Sequence, residues 1–506
     1  MLPANPTETR PRPVCVVVTD TSPLTPDSPH AGGDAHYLLA TGAASRTVER
    51  WRRAGIHVHR VEDFPPPPPF RVRNLYTPST ADRSDDVRHA LAHLHAEYRF
   101  VRIEFGLLGG LAFRPLQARR AGLTFAGVEI VVGLDECSQR LRERAERWPA
   151  SIDDIELDYA ERCSLEWCDA TSATEPSLVE YVRRLRWHVP AAIHHGVRNE
   201  IPAEVSPAPL VTIGVAHYNL GRYLPDTLAS IAAQTYTTIE VIIIDDGSTD
   251  ESSRRTLDAL TLTYPQFHFK TQPNAGIGAT RNRCLSEARG EYFIPMDADN
   301  IARPDMVERF VAAIARDPDS SAMSCYYLAF DGDKPFPPDD YLFAVRPAAG
   351  PLTLSCIRNV YGDANAVFRT ADFRAAGGYE TDRGTSCEDW EAFVKLVFAG
   401  KNVGVVPDHL FYYRHRAEGF SRVTNWFANH QRVLRQFTRA DHPPAGEAAV
   451  MWPALLGFQQ RVGHLESRLG ARRYRVADAL HAAFRAATWP ARKMYTTARR
   501  YLITRS

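Results

Sequence analysis

Residues 209–219 read PLVTIGVAHYN, and residues 239–250 read IEVIIIDDGSTD. Each stretch begins with β-branched and apolar residues and ends in polar ones, which is the pattern of a buried parallel strand that runs into a loop. Between them, Leu224, Leu228 and Ile231 recur at helical spacing. The succession predicts a βαβ unit, and sheets built from such units bind ligands at the carboxyl ends of their strands.

Two aspartates, Asp245 and Asp246, follow the second of these strands. At a strand end, a carboxylate pair can accept hydrogen bonds from a nucleobase N–H or from ribose hydroxyls. The same residues, with the glycine and serine that follow, are also typical of a turn that leads into a helix N-cap. Both interpretations can hold together.

A glycine-containing segment, NAGIGATRN, covers residues 274–282. Gly276 and Gly278 permit close approach of the backbone, and a helix that begins near Ala279 would aim its N–H groups at an anion. Asn274 opens the segment, and Arg281 either serves a nucleotide or lies on the helix surface.

The motif Asp297-Ala298-Asp299 comes directly after a strand-like run at residues 291–296. Two carboxylates one residue apart on a strand point to the same side. They can present hard oxygen ligands to Mg²⁺ or Mn²⁺, and such an ion usually keeps part of its shell for substrate phosphates. An isolated Asp-x-Asp is common in a chain with 60 acidic residues, so the surrounding motifs decide its meaning.

Two further motifs lie downstream. The sequence CEDWE at residues 387–391 opens an apolar helix pattern, and PDHLFYYRHR at residues 407–416 places His415 at an aromatic strand end. Acidic residues in the first turn of a helix are also ordinary capping residues.

Taken in this order, the motifs between about residues 207 and 420 resemble the family 2 glycosyltransferases, which have the GT-A fold. The resemblance implies that Asp246 contacts the nucleoside, with Asp245 as its neighbour and partner. It further implies a nucleotide-sugar site to which these residues contribute: Asn274, Gly276, Arg281, Asp297 and Ala298.

The same resemblance assigns metal and catalytic roles. Asp299 would bind a divalent metal, Mn²⁺ or Mg²⁺, and Asp297 would lie against the ribose or donor sugar and complete the metal-binding pair. His415 would be a further metal ligand or a diphosphate contact. Asp389 would be the general base, and Glu388 beside it is the second catalytic candidate.

The chemistry of sugar transfer supports these residue types. A departing diphosphate gathers negative charge, so a metal ion and a nearby cation lower the barrier. The acceptor hydroxyl must lose a proton to a carboxylate or imidazole within about 3 Å. A single in-line attack inverts the anomeric centre and needs one base and no protein nucleophile. A partly desolvated Asp389 would have the raised pKa that suits such a base.

The first 200 residues alternate strand-like and helix-like segments, which predicts a second doubly wound α/β domain. The prolines at residues 65–69 predict a stiff surface excursion. This half resembles the N-terminal half of GT-B glycosyltransferases, in particular family 4, and implies a scaffold or acceptor-binding role ahead of independent catalysis. The resemblance lies in four groups of residues: Gly109-Gly110, residues 117–122, residues 161–170 and Ser172.

The fold class predicted is therefore α/β, with two doubly wound domains and a helical basic tail. The boundaries are a Rossmann-type, GT-B-like half at 1–200, a GT-A catalytic domain at 207–440 and the tail at 441–506. From residue 461 the tail has 11 Lys and Arg against 2 acidic residues, with aromatic residues interspersed. Such a segment either lies on an anionic membrane surface or packs on the catalytic domain.

The composition of the chain narrows the class of protein and its cellular setting. The 60 basic and 60 acidic residues cancel, which argues against a nucleic-acid binder, and the eight dispersed cysteines favour a reducing, cytosolic setting. No apolar run reaches the roughly 18 residues of a membrane span. A cytoplasmic protein is expected, or one peripheral to the inner face of the membrane.

The sequence thus predicts an inverting, metal-dependent hexosyltransferase that uses a nucleotide diphosphosugar, with a UDP-sugar as the first choice. Its acceptor would be a glycan or a lipid-linked molecule in surface polysaccharide synthesis, an expectation from the family resemblance. The alternative is a non-catalytic nucleotide- or glycan-binding scaffold with a transferase fold.

Overall fold

The computed structural model describes residues 13–18, 35–39, 52–53, 57–76, 80–147, 149, 151–173, 176–190, 208–419 and 423–439. These residues belong to one compact unit. The boundary predicted between residues 200 and 207 and the basic tail predicted at 441–506 lie outside the described residues, so both stay predictions.

The N-terminal residues form a six-stranded sheet in which every pair of neighbours is parallel. Its order is β3-β2-β1-β4-β5-β6, which is the doubly wound order in which the chain winds outward from the centre in both directions. The strands are β1 Val14–Val18, β2 Ala35–Leu39, β3 His57–Arg60, β4 Arg102–Gly106, β5 Glu129–Leu134 and β6 Ala170–Ala173.

Six helices accompany this sheet among the described residues. Their apolar sides bury residues such as Leu91, Leu116 and Leu165 against Ile103 and Ile130 of the strands, which gives this half its own core. The helices are α1 Pro68–Arg71, α2 Thr80–Tyr98, α3 Phe113–Arg120, α4 Ser138–Arg144, α5 Ile152–Trp167 and α6 Pro176–Arg184.

The second sheet has nine strands and is mixed. Its path is β11-β15-β12-β14-β10-β7-β8-β9, and β13 pairs with β12 off this path. The strands are β7 Val211–His217, β8 Ile239–Asp245, β9 His268–Thr271, β10 Tyr292–Asp297, β11 Ile301–Ala302, β12 Ser320–Asp331, β13 Phe343–Val345, β14 Val367–Arg369 and β15 Asn402–His415.

Seven helices pack with the second sheet in the described part of the chain. The predicted βαβ unit is present, with a helix at Leu224–Ala232 between β7 and β8. The helices are α7 Leu224–Ala232, α8 Glu251–Thr263, α9 Ile277–Glu287, α10 Met306–Arg316, α11 Thr370–Ala375, α12 Glu388–Phe398 and α13 Trp426–Phe437. The predicted α/β class is confirmed.

Parallel pairing brings the polar strand ends of the second sheet together. The register places His217 opposite Asp245 between β7 and β8, and Ala216 opposite Asp297 between β7 and β10. Three segments that are distant in sequence therefore end at one edge, because parallel strands share the position of their carboxyl ends.

Polar contacts join the two sheets. Arg114 of α3 is fully buried, and its guanidinium donates to the backbone oxygens of Pro347 and Arg346 at 3.0 and 3.3 Å. The Tyr326 hydroxyl donates to Asp85 of α2 at 2.8 Å. Burying a guanidinium is costly unless it is paired, and Arg114 also lies 3.6 Å from the Asp85 carboxylate, so these contacts fix one half against the other.

The prolines at residues 65–69 lie mainly at the surface, as the sequence predicts, and the segment ends in a packed aromatic residue. Its prolines lie at the surface or are half-buried, but the ring of Phe70 packs 4.2 Å from that of His89 and 4.5 Å from that of His409, measured between centroids. The segment is therefore an anchor between the two halves, because the aromatic residue that ends it gains more by burial than by exposure.

A glycine-rich turn follows β4, as the sequence predicts. The Gly109 N–H donates to the Glu161 carboxylate at 2.9 Å, and the Ser138 backbone and hydroxyl donate to it at 2.8 and 2.6 Å. The protein's own carboxylate thus takes the amides that a phosphate would use at such a turn. The specific resemblance to a GT-B half stays a prediction.

The structure describes the state of all eight cysteines and the length and character of the helices. All eight cysteines are free thiols, and all but Cys387 are buried. None of the helices in the described ranges combines the length and apolar character needed to cross a membrane.

Candidate functional site

Asp245 lies at the end of β8 and makes polar contacts with β7 and with the loop that follows β8. Its carboxylate lies 2.9 Å from His217 Nδ1 and accepts a hydrogen bond from the Ser248 backbone at 3.1 Å. Burial alone would raise the pKa of Asp245, but the hydrogen bonds from His217 and Ser248 bring it below its ordinary value. Asp245 therefore holds the loop after β8 against β7.

Asp246 binds the glycine-containing loop. Its two carboxylate oxygens accept the backbone N–H groups of Ala275 and Gly276, each at 2.8 Å, and Gln272 donates to it at 2.7 Å. The Asn274 side chain donates to the Asp246 backbone oxygen at 3.0 Å. The loop amides predicted to face an anion therefore face this carboxylate, at the N-terminus of α9.

Glycine is required at the two positions of this loop for different physical reasons. Gly276 has a φ of +92°, which L side chains rarely adopt. At Gly278, a Cβ atom would stand 2.3 Å from the backbone oxygen of Glu380. The predicted close approach thus occurs at Gly278, where helix α9 meets the segment that precedes α12.

Replacing Gly278 by alanine is expected to destabilise the protein. Overpacking costs about 1–3 kcal/mol, and the higher helix propensity of alanine returns up to about 1 kcal/mol of that. The measurement is the midpoint of thermal unfolding. The matched control is Gly133→Ala, because a Cβ there meets its neighbours at an ordinary 3.5 Å. Equal midpoints for the two variants would contradict the role assigned to Gly278.

Arg281 is a buried centre of the site and not a helix-surface residue. Its side chain is 3% exposed, its guanidinium pairs with Asp297, and Nη1 lies 2.6 Å from a Glu388 oxygen. The Tyr379 ring centroid lies 5.4 Å from the guanidinium carbon. One cation therefore connects the Asp-x-Asp motif on β10 with the acidic start of α12.

The Asp-x-Asp motif is held by arginines. Asp299 Oδ2 accepts a hydrogen bond from Arg416 Nε at 2.7 Å, and its backbone oxygen accepts one from Arg414 at 2.9 Å. Burial raises the pKa of Asp299; Arg416 opposes that rise, and the nearby Asp297 adds to it. Ala298 is fully buried in the core, so it can offer a ligand only its backbone.

His415 lies at the end of β15, and its predicted role as a metal ligand or diphosphate contact stays a prediction. It ends β15 opposite Asp331, and its ring packs edge-on against Phe343 at 5.5 Å between centroids. It is the next residue, Arg416, that contacts Asp299. Within the described ranges, no three His, Cys, Asp or Glu side chains form a group that could hold a metal ion. The three predicted metal ligands are thus not gathered into such a group.

Asp389 has the electrostatic character of a base. It is half-buried in the first turn of α12, where the Trp390 N–H donates to it at 2.8 Å. Desolvation, followed by the charge of Glu388, raises the pKa of Asp389 to about 7, and Arg281 opposes that rise. Such a carboxyl group exchanges its proton near neutral pH.

Asp363 is a further carboxylate of this region, and the sequence predicted no role for it. Burial, then the charges of Asp297 and Asp389, raise its pKa well above the usual range. The Asn365 N–H donates to Asp363 at 3.0 Å, and the Asn365 side chain accepts from the Asp297 N–H at 3.3 Å. The region therefore has more carboxylates than cations.

Several buried polar atoms of the site have no hydrogen-bond partner among the described residues. In native proteins such atoms usually face water or a ligand. Four such atoms belong to residues at or near Arg281 and the start of α12: Arg281 Nε, Glu388 Oε2, Tyr379 Oη and Trp390 Nε1.

The structure adds residues that motif reading leaves out: His217, Asp363, Tyr379 and Arg416. Arg416 stands inside a predicted motif, and its charge was the available signal. The others contact the site only through tertiary packing. The site thus combines polar strand ends, several carboxylates, the arginines that pair with them, and a carboxyl group of raised pKa at Asp389.

The family match lies in residues of the second sheet and its helices. Residues 212–375 match the sequence profile of glycosyl transferase family 2. The chain therefore contains a glycosyl transferase family 2 domain, which confirms the predicted family.

Curated relatives match the chain over short lengths. The chain is 34% identical over 125 residues to the chondroitin synthase of Escherichia coli, covering 25% of this chain and 18% of that protein. It is 33% identical over 128 residues to the glycosyltransferase GlyG of Streptococcus pneumoniae, covering 25% and 42%. To the hyaluronan synthase of Pasteurella multocida it is 32% identical over 136 residues, covering 26% and 13%. The chain thus spans less than half the length of these relatives.

Two solved structures are similar. A crystal structure of residues 1–349 of Staphylococcus aureus TarS with UDP-GlcNAc has 19% identity and a TM-score of 0.39, over 48% of this chain and 70% of that chain. The mannosyltransferase PcManGT from Pyrobaculum calidifontis, in complex with GDP-Man and Mn²⁺, has 21% identity and a TM-score of 0.38, over 63% and 91%.

Proposed function

We propose that this protein is an inverting glycosyltransferase that moves a sugar from a nucleotide diphosphosugar to a hydroxyl of a glycan or lipid-linked acceptor. The observation that carries the proposal is the arrangement around Arg281, which joins the Asp297 carboxylate at the end of β10 to Glu388, next to Asp389. The Asp-x-Asp motif, which would bind the donor, and the candidate base Asp389 are therefore held on either side of the buried Arg281 guanidinium.

The donor would bind at the carboxyl ends of β7, β8 and β10. Asp246 and the loop at residues 274–276 would receive the nucleoside, and Asp297 the ribose or sugar. The hydrogen bonds of Asp246 to this loop support the role, because they fix the carboxylate and the loop in one geometry before the ligand arrives.

Asp389 would accept the proton of the acceptor hydroxyl. With a pKa of about 7, this group is ionised in an appreciable fraction of molecules near neutral pH and remains basic enough to take a proton. Arg281 would keep the carboxylates around it in position and offset their charge as the diphosphate departs. No covalent enzyme intermediate is required in this scheme.

A divalent metal, Mn²⁺ or Mg²⁺, fits the Asp-x-Asp motif. Asp297 and Asp299 each use one carboxylate oxygen for an arginine, and the other oxygen accepts no hydrogen bond from the described residues. Hard oxygen donors of this kind suit either ion. A bound ion would supply Lewis-acid stabilisation of the departing diphosphate. His415 remains a further candidate for this role or for a diphosphate contact.

The alternative is a non-catalytic nucleotide- or glycan-binding scaffold. The raised pKa of Asp389 argues for the enzyme, because a scaffold has no use for a base poised near neutral pH. A place in surface polysaccharide synthesis follows from the named relatives, which include chondroitin and hyaluronan synthases. A UDP-sugar is the first donor to test, and cytoplasmic or peripheral membrane location is part of the same proposal.

Nucleotide binding is expected to stabilise the protein in a metal-dependent way. The experiment is a thermal-shift screen of UDP, GDP, CDP and dTDP and their sugars, with and without Mn²⁺ or Mg²⁺. A ligand at 100 times its Kd adds about 2.7 kcal/mol to the apparent free energy of unfolding. The shift should disappear in Asp299→Ala.

Asp319→Ala is the control for this screen, because Asp319 is exposed at the surface. It should keep the full shift. A shift retained in Asp299→Ala would contradict the metal role of Asp299. Absence of a shift with every nucleotide would favour a non-catalytic scaffold that binds a glycan.

A further inference from the structure

A cavity of about 200 Å³ lies where the N-terminal half meets the second sheet. Residues 70–74, one side of helix α2 and Arg346, the residue after β13, form its wall. This wall includes none of the residues assigned above to the nucleotide, the metal or the base. The cavity is therefore a concave surface to which the reaction proposed above gives no role.

Helix α2 presents a polar stripe to this cavity. Its lining residues are separated from the first of them by three, four and seven positions, which places them on one face of the helix. Val87 and Leu91 of the same helix are buried in the core of the N-terminal half. An apolar stripe would have closed the junction by packing, whereas the polar stripe leaves a space there. The residues of the stripe are Asp82, Asp85, Asp86 and His89.

Backbone hydrogen bonds fix the wall opposite α2. The Leu75 N–H donates to the Ala344 oxygen at 2.8 Å, and the Ala344 N–H donates to the Arg73 oxygen at 2.8 Å. The Arg346 guanidinium donates to the Phe70 backbone oxygen at 2.7 Å. The cavity therefore has its shape before any ligand enters, as small-molecule sites usually do.

Two charged side chains at the rim are available to a ligand. Arg73 and Asp86 are both exposed and both line the cavity. Among the described residues, neither side chain makes a hydrogen bond or an ion pair. Asp85 differs, because it pairs with Arg88 at 2.9 Å and accepts the Tyr326 hydroxyl at 2.8 Å. The rim thus offers one strong donor and one strong acceptor, while Asp85 is used within the protein.

The inner part of the cavity also combines donors and acceptors. Asn74 is buried, and its amide donates to Asp82 at 3.2 Å. Arg346 Nη1 lies 3.4 Å from the same carboxylate. The ring of Phe70 adds an apolar surface to the lining. Amide, guanidinium and carboxylate groups therefore lie side by side at the bottom of the cavity.

The charges of the lining indicate the class of ligand. An anion would meet the carboxylates, and a cation would meet the guanidinium groups, so either would make like-charge contacts. A hydroxyl group both donates and accepts hydrogen bonds, so a neutral polyhydroxylated ligand can use both kinds of group. The lining contains equal numbers of the two: Arg71, Arg73 and Arg346 against Asp82, Asp85 and Asp86.

The size of the cavity limits the ligand further. Pockets for drug-sized ligands have volumes of roughly 300–1,000 Å³. At about 200 Å³, this cavity suits a single sugar ring. Because Arg73 and Asp86 at its rim are exposed, the cavity opens to solvent, and the rest of a longer chain can remain outside.

We propose that this cavity binds one neutral monosaccharide unit of a glycan, a unit other than the one that reacts. Arg73 and Asp86 would hydrogen-bond its hydroxyls at the rim, and Asn74, Asp82 and Arg346 would contact it from below. The choice of a glycan rests on the proposed function, in which a glycan is the acceptor. The N-terminal half would then hold the acceptor while the second sheet carries the reaction.

The test is saturation-transfer NMR on the full chain without nucleotide, which detects sugar binding without turnover. The neutral probes are the methyl glycosides of glucose, galactose, mannose, N-acetylglucosamine and N-acetylgalactosamine. Methyl glycosides of glucuronic acid and of glucosamine are the anionic and cationic comparisons. At least one neutral glycoside should bind more tightly than both charged ones. Adding UDP with Mn²⁺ should leave its signal unchanged, because the cavity shares no residue with the donor site.

Two variants test the rim residues. Asp86→Ala and Arg73→Ala should each weaken binding of the neutral glycoside by about fivefold or more, as expected when a hydrogen bond to a charged group is lost. Both side chains are exposed, so the midpoint of thermal unfolding should stay that of the wild type. The matched controls are Asp258→Ala and Arg255→Ala, at exposed positions of α8, and both should keep full binding.

Four results would overturn the proposal: no sugar binding to wild type, unchanged binding in both rim variants, tighter binding of a charged glycoside, or displacement of the sugar by UDP. None of them bears on the proposed function, which fails if no nucleotide shifts the unfolding midpoint. If that happened while the rim variants still lost sugar binding, the cavity would stand as the site of a glycan-binding scaffold.

Discussion

Replacing Asp389 by asparagine is expected to reduce turnover by about 10²- to 10⁴-fold, the range that a general base contributes. The amide keeps the shape of the side chain but cannot accept the acceptor's proton. Arg281 and Asp297 would keep their ion pair, so nucleotide binding should remain near that of the wild type. The measurements are release of nucleoside diphosphate for turnover and thermal shift for binding.

The control for this variant is Asp258→Asn, a change of the same chemistry at an exposed position of α8. It should leave both turnover and binding unchanged. If Asp389→Asn kept more than about one tenth of the activity, the base would be another group. Asp363 would then be the first to test, because it lies in the same electrostatic cluster.

Replacing Arg281 by methionine is expected to lower both the stability of the protein and its activity at neutral pH. The guanidinium pairs with Asp297 and with Glu388, whose side chain is 8% exposed. Removing one partner of a buried ion pair leaves an uncompensated charge and costs about 3–5 kcal/mol. Thermal or denaturant unfolding measures that loss.

A second prediction for Arg281→Met concerns how its activity depends on pH. Arg281 lowers the pKa of Asp389, so its removal should raise that pKa above about 7. Because the ionised form is the base, activity rises with pH, and in Arg281→Met this rise should move to higher pH. The profile of the residual activity in kcat/KM reports the free enzyme.

Arg255→Met is the matched control for both readouts. Arg255 lies on the surface of α8 and faces Glu251 at 3.9 Å, with both side chains more than 70% exposed. Exposed pairs contribute little, so neither the unfolding midpoint nor the pH profile should move. An unshifted profile in Arg281→Met would contradict the electrostatic link between Arg281 and Asp389.

Local patterns predicted the elements of the second sheet well. The alternation of β-branched runs, helix spacing and polar strand ends correctly predicted β7, α7 and β8. Such patterns are readable because side-chain periodicity is a local property of strand and helix geometry. Asp250 also caps α8 by accepting the Ser253 N–H at 2.6 Å, as the turn-and-cap interpretation expects.

The partners of the site residues were less predictable. The sequence left Arg281 open between nucleotide contact and helix surface, and only packing shows that it is buried between β10 and α12. Asp246 was predicted to bind a ligand. The sequence did not indicate that its carboxylate would accept hydrogen bonds from the backbone N–H groups of Ala275 and Gly276. The roles predicted for both toward a nucleotide remain to be tested.

The sequence by itself determined the α/β class, the order of the motifs and the family 2 domain, because these depend on periodicity and on residue types at short spacing. Only the tertiary structure decided that Arg281 links two acidic motifs and that Arg416 contacts Asp299. The contacts of Arg281 with Glu388 and of Arg416 with Asp299 join residues more than 100 positions apart, and their geometry follows from how the elements of the second sheet pack.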